Sequence, residues 1–268
     1  MIAIENISKT YDGITYALEK VNLALEEGRI MSLLGHNGAG KSTLLKILAT
    51  ILSPSAGEVY YNGVCYSTAT IDELREIKKT LGFLGESPYL FDKLTPYEYL
   101  FYIGQMYGID DEDYLKERIE YLVEIFELES ANKKFLEAYS SGMKKRTALA
   151  GVFLSKPQLI LLDEPTNNLD PVGIKFLKEF LVKIKEEGSS IIFATHQLEI
   201  AEKLSDVITI IDTGSIIFSG TMEQIKAKAK LIDGEKTLEN LYKILIEKKN
   251  KSESRVPQHL FTLSNRGN

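Results

Sequence analysis

The sequence predicts an α/β fold: a mainly parallel core sheet flanked by helices, preceded by an antiparallel β subdomain and interrupted by a helical subdomain. Three observations carry this expectation. Gly35-His36-Asn37-Gly38-Ala39-Gly40-Lys41-Ser42 stands between an apolar strand pattern and a helical one, the setting that a phosphate-binding loop requires. Apolar runs at 159–162, 191–194 and 207–211 alternate with helical stretches at 171–186 and 197–204, which implies right-handed crossovers and parallel strands buried on both faces. Before the loop, Ile2, Ile4 and Ile7, then Leu18, Val21, Leu23 and Leu25, show the near-alternation of half-buried strands.

The elements follow in order. Asp12-Gly13 and Glu27-Gly28 supply turns around the opening strands, and 42–52 reads as a helix stopped by Ser53-Pro54-Ser55-Ala56-Gly57. Asn62-Gly63 between two short apolar runs is a hairpin signal. A polar helix over 71–78 and a buried strand over 81–84 lead into a loop, 85–94. Thr95-Pro96-Tyr97-Glu98 combines a cap residue, a proline at the first helical position and a nearby glutamate. The pattern from there to about Phe135 is helical in two stretches, and a further helix is expected over 147–154. After the parallel strands, Thr213-Gly214 turns into a last strand over 216–218, followed by helices at 222–230 and around 238–242. The stretch 248–268 is polar and expected to be loose.

Composition narrows the class. At 268 residues, 44% of them hydrophobic, the chain can fill a sizeable core. A net charge of −6 and a pI near 5.3 give no general attraction to nucleic acid or anionic lipid. The single cysteine, Cys65, cannot form an internal disulfide and suits a reducing compartment. No apolar stretch approaches the roughly 18 to 20 residues of a membrane span, and Met1-Ile2-Ala3-Ile4-Glu5 does not open a signal-peptide pattern. The chain itself is therefore expected to stay out of the membrane.

The phosphate loop states the chemistry. Its glycines let successive backbone N–H groups turn inward on an anion, and the helix that follows adds its positive dipole end. Gly35, His36, Asn37, Gly38, Ala39, Gly40, Lys41, Ser42 and the adjoining Thr43 are expected to surround a polyphosphate. Lys41 reaches the outer phosphates as a point charge, and the Ser42 hydroxyl is a ligand to the accompanying Mg²⁺. The His36 side chain receives no role of its own. Leu159-Ile160-Leu161-Leu162-Asp163-Glu164 is an apolar strand ending in two carboxylates. That places Asp163 in the Mg²⁺ shell and Glu164 one step beyond, where it can orient or deprotonate water. Tyr11, before the loop, offers a ring to a nucleotide base.

Tyr139-Ser140-Ser141-Gly142-Met143-Lys144-Lys145-Arg146 precedes the Asp163-Glu164 strand. Taken with the phosphate loop, the chain here resembles the ATP-binding cassette (ABC) family, whose signature stretch ordinarily reads Leu-Ser-Gly-Gly-Gln. The resemblance covers about residues 2–225, with the motifs in the family's order. It implies a P-loop NTPase fold, with an ATPase domain over 1–225 that carries a helical subdomain at about 86–150, and a C-terminal helical extension and polar tail over 226–268. It implies ATP and Mg²⁺ as cofactors. It also implies a sandwich dimer in which Ser140 and Gly142 of one cassette contact the γ-phosphate held by the other's Lys41. Tyr11 matches the aromatic that the family stacks on adenine, and Asn168-Leu169-Asp170 the segment that communicates between the two sites. Asp170 before Pro171 is also what a helix start wants. His196 matches the histidine that contacts the γ-phosphate and the attacking water. Lys144, Lys145 and Arg146 are expected in the first turn of a helix, opposing its dipole, which makes sense with a phosphate nearby.

Two departures from the family stand out. Glu86 occupies the place of a glutamine that binds Mg²⁺ and senses the membrane partner; it still offers the metal an oxygen but adds negative charge near Glu164, which alters metal affinity or either acid's pKa. Ser141 replaces the first signature glycine, at a cost if that position needs a positive φ. Met143, in the place of the signature glutamine, and Thr166-Asn167-Asn168-Leu169-Asp170-Pro171 look most like the bacterial exporter subfamily that moves drugs, peptides, lipids or ions. The implied function is the ATPase subunit of a membrane transporter at the cytoplasmic face of the cell membrane. Its permease subunits are expected on separate chains and its second cassette is identical or closely related, with no nucleic-acid partner. A soluble ABC-type ATPase acting on ribosomes or nucleic acid is the alternative, and a nucleotide or small-molecule kinase a third reading.

Overall fold

The structure, a computed structural model, describes residues 1–129, 133–230 and 238–253. They fall into two compact units, Met1–Ser219 and Gly220–Asn268. Among the described residues, no helix is long and apolar enough to cross a membrane.

The first unit opens with β1 (Ile2–Thr10) and β2 (Tyr16–Leu25), paired antiparallel. With β4 (Ala56–Tyr61) and β5 (Val64–Cys65) they form a four-stranded sheet in the order β2-β1-β4-β5. The β4–β5 turn is Asn62-Gly63 with both φ positive, 49° and 84°, as a two-residue hairpin of right-handed strands needs. The second sheet contains β3 (Ile30–Leu34), β6 (Leu81–Leu84), β7 (Leu159–Asp163), β8 (Ser190–Thr195), β9 (Val207–Asp212) and β10 (Ser215–Gly220). Its order is β10-β9-β3-β8-β7-β6, and the pairs β9–β3, β3–β8, β8–β7 and β7–β6 are parallel.

Continuous apolar strands follow from burial on both faces. Along β7, Ile160 and Leu162 join one core while Leu159 and Leu161 join the other, the period-two alternation of a pleated strand. The second of these cores lies between the two sheets and around α1 (Lys41–Leu48). The first lies under α3 (Pro96–Met106), α4 (Glu112–Ile125), α5 (Ser141–Phe153) and α6 (Pro171–Glu186); α2 (Ile71–Lys79) and α7 (Leu198–Leu204) are the remaining α-helices among the unit's described residues. Phe126, Phe153 and Phe180 tie α4, α5 and α6 together edge-on or stacked, with the Phe153 and Phe180 centroids 4.8 Å apart. In the second unit, α8 (Met222–Lys230) and α9 (Leu238–Glu253) pack on each other.

Four boundaries differ from expectation. The helix expected over 42–52 ends at Leu48, because Thr50 turns left-handed at φ 60° and Ile51 and Leu52 close back on the Lys46 carbonyl. The helical pattern expected to about Phe135 ends at Ile125, where Glu127 takes φ 54°; residues 130–132 lie outside the described residues. The helix expected from Thr147 begins at Ser141, so only Lys144 of the three cations stands in its first turn. In the stretch expected to be loose, α9 continues to Glu253, and 254–268 lie outside the described residues.

The aromatic cluster predicts a specific cost. Phe153→Ala removes a 1%-exposed ring and is expected to destabilise the first unit by about 3–5 kcal/mol, read as a lower urea midpoint at unchanged slope.

Candidate functional site

Strand register sets the site. Leu34 pairs with Thr195, and Ala194 with Asp163, so Gly35, His196 and Glu164 leave the same carboxyl edge of three adjacent strands, where open α/β sheets bind ligands. The phosphate loop leaves β3 there and runs into α1. Gly40 has φ +106°, and a Cβ on it would lie 2.6 Å from the Ala17 carbonyl oxygen, so the loop's close approach to β2 requires glycine. Gly40 gives α1 no side-chain cap, and no acid stands in the first turn; the free N–H groups and the dipole favour an anion. Gly35 and Ala39 are buried beneath the loop, while His36, Asn37 and Gly38 are exposed.

Lys41 is buried. Its Nζ donates to the Gly35 and His36 carbonyls at 2.8 and 3.1 Å and stands 3.8 Å from Glu164 Oε1. Burial holds the Asp163 carboxyl above the usual carboxylate range; nearby Glu86 and Glu164 push the same way, and the Ser42 hydroxyl and Lys41 oppose. A group that adds positive charge here would relieve that penalty.

Glu164 is the most constrained residue of the site. It is 5% exposed and takes φ 46°, a left-handed conformation that a non-glycine residue adopts at a cost of order 1–3 kcal/mol. Its N–H donates to Ala194 O at 3.1 Å, and its Oε1 lies 2.9 Å from His196 Nδ1. Its Oε2 is buried without a hydrogen-bond partner. The His196 ring is about half exposed, so Glu164 has one oxygen fixed and one available to a polar guest.

Asn37, Gly38, Gly40, Lys41, Ser42, Thr43, Glu86, Asp163 and Glu164 line one hollow of about 360 Å³ with Ala17. The Tyr11 ring, 67% exposed, stands beside it with its hydroxyl 3.3 Å from Thr43 Oγ1. Ser140, Gly142 and Asp170 line a different hollow with Ser141, Met143, Arg146, Asn168 and Leu169. Ser140 caps α5, its Oγ accepting from the Met143 N–H at 3.3 Å. Ser141 opens that helix outside the positive-φ region, so the departure from glycine carries no backbone strain. A larger hollow of about 480 Å³, between Met1-Ile2, Pro157–Leu159 and Gly188–Ser190, contains none of these residues.

The cations of α5 have protein partners. Lys144 pairs with Asp92 at 3.2 Å, Arg146 with Glu127 and Asp170, and Lys145 is 2% exposed. Asp170 caps α6, accepting from the Gly173 N–H at 2.9 Å. Sequence reasoning missed two further contacts. His36 Nε2 lies 2.9 Å from Asp212 Oδ1, tying the loop to the end of β9 across 176 positions; an acid ending the apolar run of β9 was the only signal. Gln197 Nε2 donates to Thr166 Oγ1 at 3.4 Å, joining the turns after β8 and β7; nothing in the sequence marked it.

Among the described residues, no cluster of three or more His, Cys, Asp or Glu could hold a metal by itself. Oxygens from Ser42, Asp163 and Glu86 suit the few protein ligands of a Mg²⁺ that is otherwise held by phosphate and water.

The chain as a whole is similar to known proteins. The family model described as ABC transporter matches residues 18–167. The chain is 34% identical over 251 residues to the lantibiotic transport ATP-binding protein SrtF of Streptococcus pyogenes, covering 93% of this chain and 100% of that one. A solved ATP-binding subunit of an ABC transporter superposes with a TM-score of 0.82 at 30% identity, over 92% of this chain and 99% of that one. A dimeric ATP-binding cassette in a post-hydrolysis state, bound to ADP and Pi, superposes with a TM-score of 0.70 at 28% identity, over 82% and 98%.

The Asp170 cap predicts a pH dependence. The Gly173 N–H, with help from Arg146, holds the carboxyl below its ordinary value. The cap's contribution is therefore full above the unfolded carboxyl's pKa of about 3.9 and is lost as pH falls through the lower folded value. The gap in Tm between the native chain and Asp170→Ala is expected to be constant near neutrality and to close in acid.

Proposed function

Because the chain belongs to the ABC transporter family, as its ATP-binding and ATP-hydrolysing subunit, we propose that it works as a pair of copies against permease subunits on separate chains, at the cytoplasmic face of the membrane, to drive export. The observation that carries this reading is the separation of two hollows on one chain. The phosphate loop and Glu164 line one, and Ser140 and Gly142 line the other. Each is rich in donors suited to phosphate, and a second copy turned face to face brings the α5 N-terminus of one chain to the phosphate loop of the other.

The residues divide the work. Backbone N–H groups of 37–43 hold the phosphates, the Lys41 ammonium swings from the Gly35 and His36 carbonyls to the outer ones, and Tyr11 stacks on adenine. Ser42, Asp163 and Glu86 would hold Mg²⁺, which would supply positive charge against the phosphates. Glu164, steadied by His196, takes its place against the attacking water with its unpartnered Oε2. Ser140 Oγ and the α5 N-terminus of the facing copy complete the γ-phosphate's surroundings. Hydrolysis and release then reopen the pair.

Exposed aromatic rings form the surface for the permease. Tyr89, Phe91 and Tyr102 are 85%, 41% and 41% exposed. They stand edge-to-face in a row beside the Glu86 loop, with Tyr89–Phe91 and Phe91–Tyr102 centroids 5.9 and 5.3 Å apart. A helix of a membrane subunit seated on this row would feel the Glu86 loop directly. Export agrees with the signature run ending in Met143. The alternative of action on ribosomes or nucleic acid gains no support from a relative named for lantibiotic transport.

Glu164→Gln keeps the shape of the site and removes the carboxylate. It is expected to bind MgATP, to lower turnover by on the order of 10² to 10⁴, and to elute from size exclusion as an ATP-dependent dimer. A monomer under saturating MgATP would count against the paired cassette.

A further inference from the structure

Two buried lysines stand at the phosphate hollow or the loop beside it, and the chemistry above uses only Lys41. The other is Lys145, in the second turn of α5 and 2% exposed. Its Nζ donates to the backbone carbonyl of Glu86 at 3.3 Å. Asp163, Glu86 and Glu164 all stabilise its charge, against the burial that draws its pKa down. Its neighbours Lys144 and Arg146 instead pair with acids at the surface. An ammonium withdrawn from water is retained only where nearby negative charge repays its desolvation.

Charge arithmetic shows what it offsets. Asp163, Glu164 and Glu86 carry −3, and Lys41 and Lys145 carry +2, leaving −1. A site with glutamine at 86, as the family ordinarily has, and a neutral residue at 145 would also carry −1, from Asp163, Glu164 and Lys41. The extra carboxylate and the extra ammonium thus cancel in net charge, and Lys145 reaches the Glu86 loop at its backbone carbonyl.

We propose that Lys145 is a positioning residue that neutralises the charge of Glu86 at the metal side of the nucleotide site and, through the Glu86 carbonyl, ties that loop to the signature helix. Glu86 and Lys145 then act as one unit. Losing Lys145 alone leaves an uncompensated carboxylate that repels the nucleotide's phosphates, and losing Glu86 alone leaves an excess cation. The proposal rests on the reading of this hollow as the ATP site.

The test is a cycle on the full chain with Lys145→Gln, Glu86→Gln and the double variant, reading the Kd for ATP with and without Mg²⁺ by displacement of a fluorescent analogue. Lys145→Gln is expected to weaken ATP binding on the order of tenfold in the native chain but by less than roughly threefold in the Glu86→Gln background, with and without Mg²⁺. Single effects that simply multiply in the double variant would overturn the proposal. If Lys145→Gln does not fold, a folded double variant with near-native affinity supports it, and a double variant that also fails to fold overturns it. Lys41→Ala run alongside separates the two levels. If it leaves ATP affinity unchanged, the nucleotide-site reading itself fails; if affinity is lost but the cycle multiplies, only the role of Lys145 fails.

Discussion

The parallel register of β3, β8 and β7 is the constraint on which the rest of the molecule depends. Because β3, β8 and β7 end within one residue of one another in register, the phosphate loop, His196 and Glu164 emerge side by side, with Glu164 2.9 Å from His196 and 3.8 Å from Lys41. Burial on both faces holds that register, since a slip of one residue would exchange the two hydrophobic cores along every strand. The stability of the sheet is thereby spent on holding Glu164 in a left-handed conformation with one carboxylate oxygen unpartnered. Such a residue persists only where its surroundings over-determine it.

The proposed pairing of two copies follows from the same architecture. The helical layer over α6 carries Ser140 and Gly142 to a hollow of their own, apart from the one that Lys41 and Glu164 line. Asp170 belongs to the Ser140 hollow and also caps α6, which follows directly on the turn after Glu164. Arg146 of the signature helix holds the same carboxylate. A shift of α5 against a facing nucleotide would therefore be felt at the cap of α6 and, through Thr166 and Gln197, beside His196. The Glu86 loop, held to α5 by Lys145, offers a second path from the same helix to the aromatic row proposed for the permease.

Much of this was legible in the sequence because it is local or periodic. The phosphate loop, the Asn62-Gly63 hairpin, the Thr95 cap and the doubly buried strands each state their structure within a few residues. Helix ends at Leu48 and Ile125 were not legible, since they depend on Thr50 and Glu127 turning left-handed, a conformation that glycine rather than these residue types signals. The site divides in the same way. The loop, Asp163 and Glu164 were readable as motifs, whereas the His36–Asp212 contact joins positions 176 apart. Lys145 read as one of three similar cations because side-chain direction follows from where α5 begins, and that start lay six residues ahead of the expected one.

A cross-link across the proposed pair is the most direct measurement. In a Cys65→Ser background, a chain carrying Asn37→Cys is mixed with a chain carrying Ser140→Cys and treated with a short bifunctional maleimide, with and without MgATP. If nucleotide draws the phosphate loop of one copy onto the α5 N-terminus of another, a covalent dimer of the two variants forms in the presence of MgATP and not in its absence. Folded, ATP-binding chains that remain uncross-linked at saturating MgATP would contradict it.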